Sequence, residues 1–400
     1  MVALVVLNVP LARAADWPTY GGDAQRSGWQ KREKDLNTGN VHELTLLWKR
    51  QLDNQSKGWN SLTSPVLLGP IITHRGIKEL VFVASSSDNV YAVDADLGRL
   101  FWKRHIDSPA APDRKSSAPC GSGLTATPVI GPPQAAPVNQ DDTEPSTPVR
   151  PLYVLSSDGR LHTIRPSDGN DMSAPVRFIP PSANAANLNL VAGSIHTMTS
   201  NSCGGVPDGI WSMPVNSRDA KAAFSPSGGN APVGRAVTPI PFTWKGRELA
   251  VGPGTQGRVV LLDATHRAPI SSNKDVGGLA TSEDASGTRW IYAALQDSIA
   301  AFQIAGNATD PKLVRVWTTK SLLSSAPPVV ANGIVFALAG SVSTHATLYA
   351  LDATTGRKLF SSGDSVKSFT SSSGLALANG HVCFTTADNT LYCFGIPIEI

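Results

Sequence analysis

The sequence predicts an all-β chain folded as a seven-bladed β-propeller of four-stranded antiparallel blades, closed by an N-terminal outer strand joining the C-terminal blade. Three observations predict it. First, seven short segments with alternating apolar residues recur along the chain: Val90-Tyr91-Ala92-Val93-Asp94, Leu161-His162-Thr163-Ile164, Ile210-Trp211-Ser212-Met213, Val259-Val260-Leu261-Leu262-Asp263, Ile299-Ala300-Ala301-Phe302, Leu348-Tyr349-Ala350-Leu351-Asp352 and Leu391-Tyr392-Cys393-Phe394. Period-two alternation of β-branched and aromatic residues marks half-buried strands, and a repeat of roughly 50 residues marks a propeller or solenoid. Second, Leu47-Trp48-Lys49-Arg50 is echoed by Phe101-Trp102-Lys103-Arg104. The second copy follows a complete hairpin and the first does not. Third, the hairpin Asn389-Thr390-Leu391-Tyr392-Cys393-Phe394-Gly395 has no Trp-bearing strand after it. The strand around residues 44–52 therefore completes the blade begun at the C-terminus, and closure removes the free sheet edges.

The individual elements follow from turn and proline chemistry. Asp88-Asn89, Asp158-Gly159 and Asp388-Asn389 precede hairpin strands and tolerate positive φ. Ser64-Pro65-Val66, Thr127-Pro128-Val129, Thr238-Pro239-Ile240 and Pro327-Pro328-Val329 each open a strand with proline, which cannot donate to a ladder and so belongs at a strand's first residue. These are the inner strands, giving a blade order of inner strand, two hairpin strands and outer strand. Residues 131–151 and 216–233 read as loop insertions.

Residues 1–14 carry an apolar run ending in Ala12-Arg13-Ala14, the pattern of a secretory signal peptide, which implies a periplasmic or secreted protein. Residues 15–43 read as an N-terminal extension packing on the propeller, and 44–400 as the propeller itself. No other apolar run is long enough for a transmembrane segment. A net charge of +3 gives no footprint for nucleic acid, and a monomer is expected. In an exported chain the four cysteines invite pairing. Cys120 and Cys203, in loops of neighbouring blades, are expected to form a disulfide. Cys383 and Cys393 flank one hairpin and face each other only if its loop has three residues.

Motifs for chemistry are sparse. Gly252-Pro253-Gly254-Thr255-Gln256-Gly257 matches a dinucleotide fingerprint, but a strand pattern follows where a helix N-terminus is required, so it reads as a hairpin turn. His-Glu-x-x-His, Cys-x-x-Cys and Gly-x-Ser-x-Gly are absent, so no metal site or catalytic residue is predicted from motifs. His196, read as lying on an inner strand, and Arg235, opening one, are the candidates for holding a carboxylate ligand at the channel. Trp29, Trp59 and Trp244 are candidates for a carbohydrate platform. His162 reads as structural.

Ala92-x-Asp94-x-x-x-Gly98-Arg99-x-x-Trp102 resembles the tryptophan-docking repeat of the pyrroloquinoline quinone (PQQ)-like propeller family, within the quinoprotein alcohol dehydrogenase-like proteins. Ala350-x-Asp352-x-x-x-Gly356-Arg357-x-x-Phe360 is a second copy, and Asp16-Trp17-Pro18-Thr19-Tyr20-Gly21-Gly22-Asp23 is similar to the start of quinoprotein dehydrogenases. The resemblance implies that Asp94 and Asp352 brace tight turns, that Gly98 and Gly356 supply unusual φ, and that Trp48 and Trp102 pack between blades. Two functions follow as expectations. One is a binding or scaffold module for a protein partner or small ligand, resembling the propeller subunit of the bacterial outer-membrane barrel-assembly machinery. The other is a PQQ-dependent alcohol or sugar dehydrogenase using PQQ with calcium. The vicinal cysteine pair of quinoprotein alcohol dehydrogenases is missing, and the chain has only seven glutamates to offer a calcium site. A carbohydrate-binding propeller is the third expectation.

Overall fold

Seven antiparallel sheets succeed one another along the chain, and the last is completed by the first strand. The computed structural model describes residues 15–55, 61–108, 123–134, 148–215, 222–226, 239–253, 259–263, 269–273, 277–295, 297–320, 322, 326–341, 344–370 and 374–397. Blade 1 consists of Val66–Thr73, Gly76–Ala84, Asn89–Asp94 and Leu100–His105. Blades 2 to 6 start at Val129, Asn184, Ile240, Gly278 and Val329. Blade 7 is Ala376–Ala378, His381–Thr385 and Thr390–Gly395, with Thr45–Gln51 as its outer strand. That outer strand runs antiparallel to Thr390–Gly395, from Thr45 opposite Gly395 to Gln51 opposite Thr390. All seven recurrent apolar segments are third strands of their blades, and the described prolines Pro65, Pro128, Pro239 and Pro328 immediately precede inner strands.

Two expectations need correction. Blade 3 has its inner position filled by two short strands, Asn184–Ala185 and Asn189–Val191, so that sheet has five strands. Residues 216–233 are not all insertion, because Ala223–Pro226 is the outer strand of blade 3. None of these three strands has the apolar alternation that reveals the others. The signal-like segment 1–14 lies outside the described residues, and among the described residues no helix is long and apolar enough to cross a membrane.

Blade-to-blade packing is fixed by tryptophans that dock on the turn of the following blade. The Trp48 indole Nε1 donates to the Ala95 carbonyl at 2.6 Å, and its ring covers Gly98, where a Cβ would lie 2.6 Å from ring carbon. Trp102 repeats this on Pro166 (2.8 Å) and Gly169, and Trp317 on Ala353 (3.0 Å) and Gly356. Asp94 Oδ1 accepts the backbone N–H of Asp96 and Leu97 at 3.1 and 3.0 Å, which holds the turn open to receive the ring. Asp352 Oδ1 does the same for Thr354 and Thr355. Aromatic rings from blades 1, 6 and 7 then join one continuous core with Leu36, Val41 and Trp17.

The last blade carries a covalent tie as well. The Thr386 N–H bonds to the Thr390 carbonyl, which leaves the three-residue loop Ala387-Asp388-Asn389. Cys383 and Cys393 are thereby directly opposite, with Cα atoms 4.2 Å apart, and form a disulfide. Cys120 lies outside the described residues, so its expected pairing with Cys203 is not placed; Cys203 is buried, and no described cysteine is free.

A half-buried tryptophan contributes on the order of 2–3 kcal/mol through apolar burial. Trp48→Ala should lower unfolding stability by about that amount, and Gly98→Ala should also destabilise. Because the three atoms nearest an added Cβ all belong to Trp48, the double variant should cost less than the sum, by about 0.5–3 kcal/mol in urea unfolding. Strict additivity would mean that the two residues do not touch.

Candidate functional site

Residues 15–38 form a strap that makes a circuit of the inner strands. It starts on blade 7, where the Ala15 N–H donates to Asn379 Oδ1 at 2.7 Å and Asn379 Nδ2 donates back to the Ala15 carbonyl at 2.9 Å. On blade 1, Trp17 and Leu67 exchange two backbone bonds of 2.9 and 3.0 Å. On blade 2 the Ile130 N–H meets the Pro18 carbonyl (2.8 Å), and on blade 3 the Thr19 hydroxyl donates to the Leu188 carbonyl (2.9 Å). Beyond Gly22 the strap reaches blade 5, with Thr281 N–H to the Ser27 carbonyl (2.8 Å), and blade 6, where Gly28 and Gln30 bracket Val330. It returns to blade 7 through Gln30 Nε2, which donates to both the Asp16 and Leu377 carbonyls. Asp23 locks the bend by accepting the Ser27 N–H at 2.8 Å and its hydroxyl at 2.5 Å.

The circuit skips one blade. Among the described residues no strap hydrogen bond reaches Ile240–Trp244, the inner strand of blade 4. A cleft of about 510 Å³ opens there, between Pro241, Phe242, Thr243 and Glu248 of blade 4, Thr281 and Arg289 of blade 5, and Asp23 to Lys31 of the strap. Along this strand Ile240, Phe242 and Trp244 are buried while Pro241 and Thr243 are exposed. Trp29 lies half-buried between two cations, with Lys31 Nζ 4.6 Å and the Arg289 guanidinium carbon 5.8 Å from its ring centre. Arg289 also packs 5.3 Å from the Phe242 ring and pairs with Glu283 at 2.5 Å. Burial pushes the Arg289 guanidinium below its usual value, and the Glu283 charge opposes that. Its buried Nε has no hydrogen-bond partner.

The candidates from the sequence fall in different places. His196 is on the second strand of blade 3, opposite Asn189, rather than on an inner strand. The two-residue turn Ala192-Gly193, with φ of 47° and 77°, joins the inner and second strands, so whatever follows it is displaced from the channel by one strand. Arg235 and Trp59 lie outside the described residues. Trp244 is buried in the packing of blades 4 and 5 and offers no exposed platform. His162 faces Asp171 at 3.2 Å. Reading the sequence missed Arg26, whose half-buried side chain donates to the Asn187 carbonyl at 3.1 Å and lies 6.0 Å from the Tyr20 ring centre. It also missed a cluster of Glu79, Asp96 and His381, residues from blades 1 and 7. No local pattern marks either.

With this geometry in view, comparison with known proteins is informative. Residues 17–170 match the family described as "Glucose/ethanol/alcohol dehydrogenase, beta-propeller domain", and residues 255–395 match "Outer membrane protein assembly factor BamB". The chain belongs to the PQQ-like β-propeller family. It is similar to the quinate/shikimate dehydrogenase (quinone) of Acinetobacter baylyi, at 26% identity over 101 residues, which spans 25% of this chain and 12% of that protein. The quinohemoprotein alcohol dehydrogenase of Comamonas testosteroni shares the fold with a TM-score of 0.58 and 13% identity, over 96% of this chain and 81% of that one. A europium-containing methanol dehydrogenase aligns with a TM-score of 0.61 and 11% identity, over 95% and 98% of the two chains.

A planar tricarboxylate quinone held with calcium requires several hard oxygen donors converging on one position. Among the described residues the only group of three or more His, Cys, Asp or Glu side chains spaced to share an ion is Glu79, Asp96 and His381. It lies on second strands and a third-to-outer turn, away from the inner strands. The described residues do not fit that cofactor's cation site, and no step is derived through it.

The strap depends on buried polar bonds that can be tested directly. Gln30→Ala leaves the Asp16 and Leu377 carbonyls without a donor and should cost about 1–3 kcal/mol. Limited proteolysis should then cut first within residues 20–40. Unchanged stability and unchanged cleavage sites would show that the strap is not held as described.

Proposed function

We propose that this protein is an exported binding module of the cell envelope that receives an extended segment of a protein partner along the inner strand of blade 4. The observation that carries this reading is the gap in the strap's circuit. An inner strand left uncovered is a template for strand addition, in which backbone bonds give affinity and neighbouring side chains give selectivity. Here the neighbouring side chains are Trp29, Lys31 and Arg289, an aromatic face between two cations. Such a setting suits a partner segment bearing a carboxylate, since a cation over an indole face still presents its charge outward. Export rests on the signal-like residues 1–14 and is consistent with a disulfide in blade 7.

A photo-crosslinking residue at the exposed Gln25 tests this reading in an envelope extract. One discrete partner should be captured, and capture should fall at least tenfold (about 1.4 kcal/mol) when Trp29→Ala or Arg289→Ala is added. No discrete product, or one indifferent to both substitutions, would contradict it.

The match of residues 17–170 to the dehydrogenase propeller domain favours a second reading, a PQQ-dependent alcohol or sugar dehydrogenase. PQQ and calcium added to purified protein should then give a bound chromophore and dye reduction. That result would replace the binding-module reading.

A further inference from the structure

We propose that Glu79, Asp96 and His381 form a binding site for one divalent transition-metal ion of the Zn²⁺ class, which clips blade 7 to blade 1. Glu79 lies on the second strand of blade 1, and Asp96 in the turn between that blade's third and outer strands. His381 opens the second strand of blade 7. One ligand atom from each lies within 4.8 Å of the other two.

The spacing is wrong for hydrogen bonds and right for shared ligation. One ion takes one imidazole nitrogen: His381 Nδ1 is 3.8 Å from Glu79 Oε2 and His381 Nε2 is 3.5 Å from Asp96 Oδ1, so one of these two spacings is a ligand pair and the third ligand closes in from within 4.8 Å. Hydrogen bonds of these groups would be near 2.7–2.9 Å. Two ligands bound tetrahedrally at about 2.0–2.1 Å from one ion stand about 3.4 Å apart.

A second observation separates this cluster from an ordinary acidic patch. His381 is 8% exposed, and its Nδ1 is buried without a hydrogen-bond partner while facing Glu79. Glu79 Oε2 is likewise buried without one. Two facing buried atoms, both lone-pair donors when the imidazole is neutral and the carboxylate ionised, call for a shared cation.

The surrounding charge agrees. Asp16 is paired with Arg32 and Arg150, and Asp94 with Lys78, so those cations are engaged. Among the described residues, His381 is the one ion-pair partner of Glu79 and Asp96. Burial, together with the charges of Asp96, Asp35 and Asp16, pushes the Glu79 carboxyl up to about 7, against a hydrogen bond from Asn379 that lowers it. A dication would relieve that repulsion. Asp96 is 47% exposed at its side chain, which leaves an entry path and room for water to complete the coordination. One imidazole with two carboxylates suits Zn²⁺ better than Ca²⁺, which takes six to eight oxygens.

The clip would lie on the seam already closed by Thr45–Gln51, with the Trp48-accepting carbonyl of Ala95 next in sequence to Asp96. Tag-free protein stripped with EDTA and titrated with ZnCl₂ should bind one ion per chain and melt at a higher temperature. Asp96→Asn, at a half-exposed turn position, should keep the fold and weaken binding at least about tenfold, and His381→Gln should abolish it. No stoichiometric binding, or equal binding by both variants, would overturn the proposal. Ca²⁺ at the same concentration should leave the melting temperature in place, and stabilisation equal to that by Zn²⁺ would overturn the choice of metal class.

Discussion

The antiparallel pairing of Thr45–Gln51 with Thr390–Gly395 is the interaction on which the rest of the molecule depends. It joins strands some 340 residues apart in the chain and closes the ring of blades. Without it, blade 7 would end in three strands with an open edge, and Trp48 would be absent from the turn of blade 1. The Cys383–Cys393 disulfide ties the strands just inside this pair, and the Glu79, Asp96 and His381 cluster straddles the same seam. A disulfide, a docked tryptophan and an ionisable cluster thus all lie at the seam that closes the longest loop.

Closure also explains the strap. Residues 15–38 immediately precede the closing strand, so the chain must approach blade 7 across the ring. In doing so it satisfies polar groups beside the inner strands that would otherwise be buried without partners. Gln30 is the clearest case, since one side chain amide serves carbonyls from the strap and from blade 7. Among the described residues blade 4 is where this coverage lapses, and the cleft beside Trp29 opens there.

The third strands and the proline-opened inner strands were legible in the sequence because alternation and proline are local signals. Docking was legible where Asp, Gly and Trp kept their spacing, as in blade 1. It was not legible at Pro166 and Gly169, where the turn receives Trp102 without the aspartate at the expected position. His196 was misplaced because the inner strands of its blade, Asn184–Ala185 and Asn189–Val191, are too short to show alternation, so the longer strand after the turn read as the inner one. Its blade also lacks a proline to mark the inner strand. The cleft was partly foreshadowed by Trp29, but Arg289 and Phe242 come from distant segments and announce nothing singly. The same holds for Glu79, Asp96 and His381, which only ring closure brings together.

Hydrogen exchange resolved along the chain tests ring closure most directly. If the ring opens only by global unfolding, amides of Thr45–Gln51 and Thr390–Gly395 should exchange with the same opening free energy as the inner strands Val66–Thr73 and Gly278–Glu283. Exchange of Thr45–Gln51 at a markedly lower opening free energy, with the other strands still protected, would show that the propeller stands without its closing strand and would contradict the account.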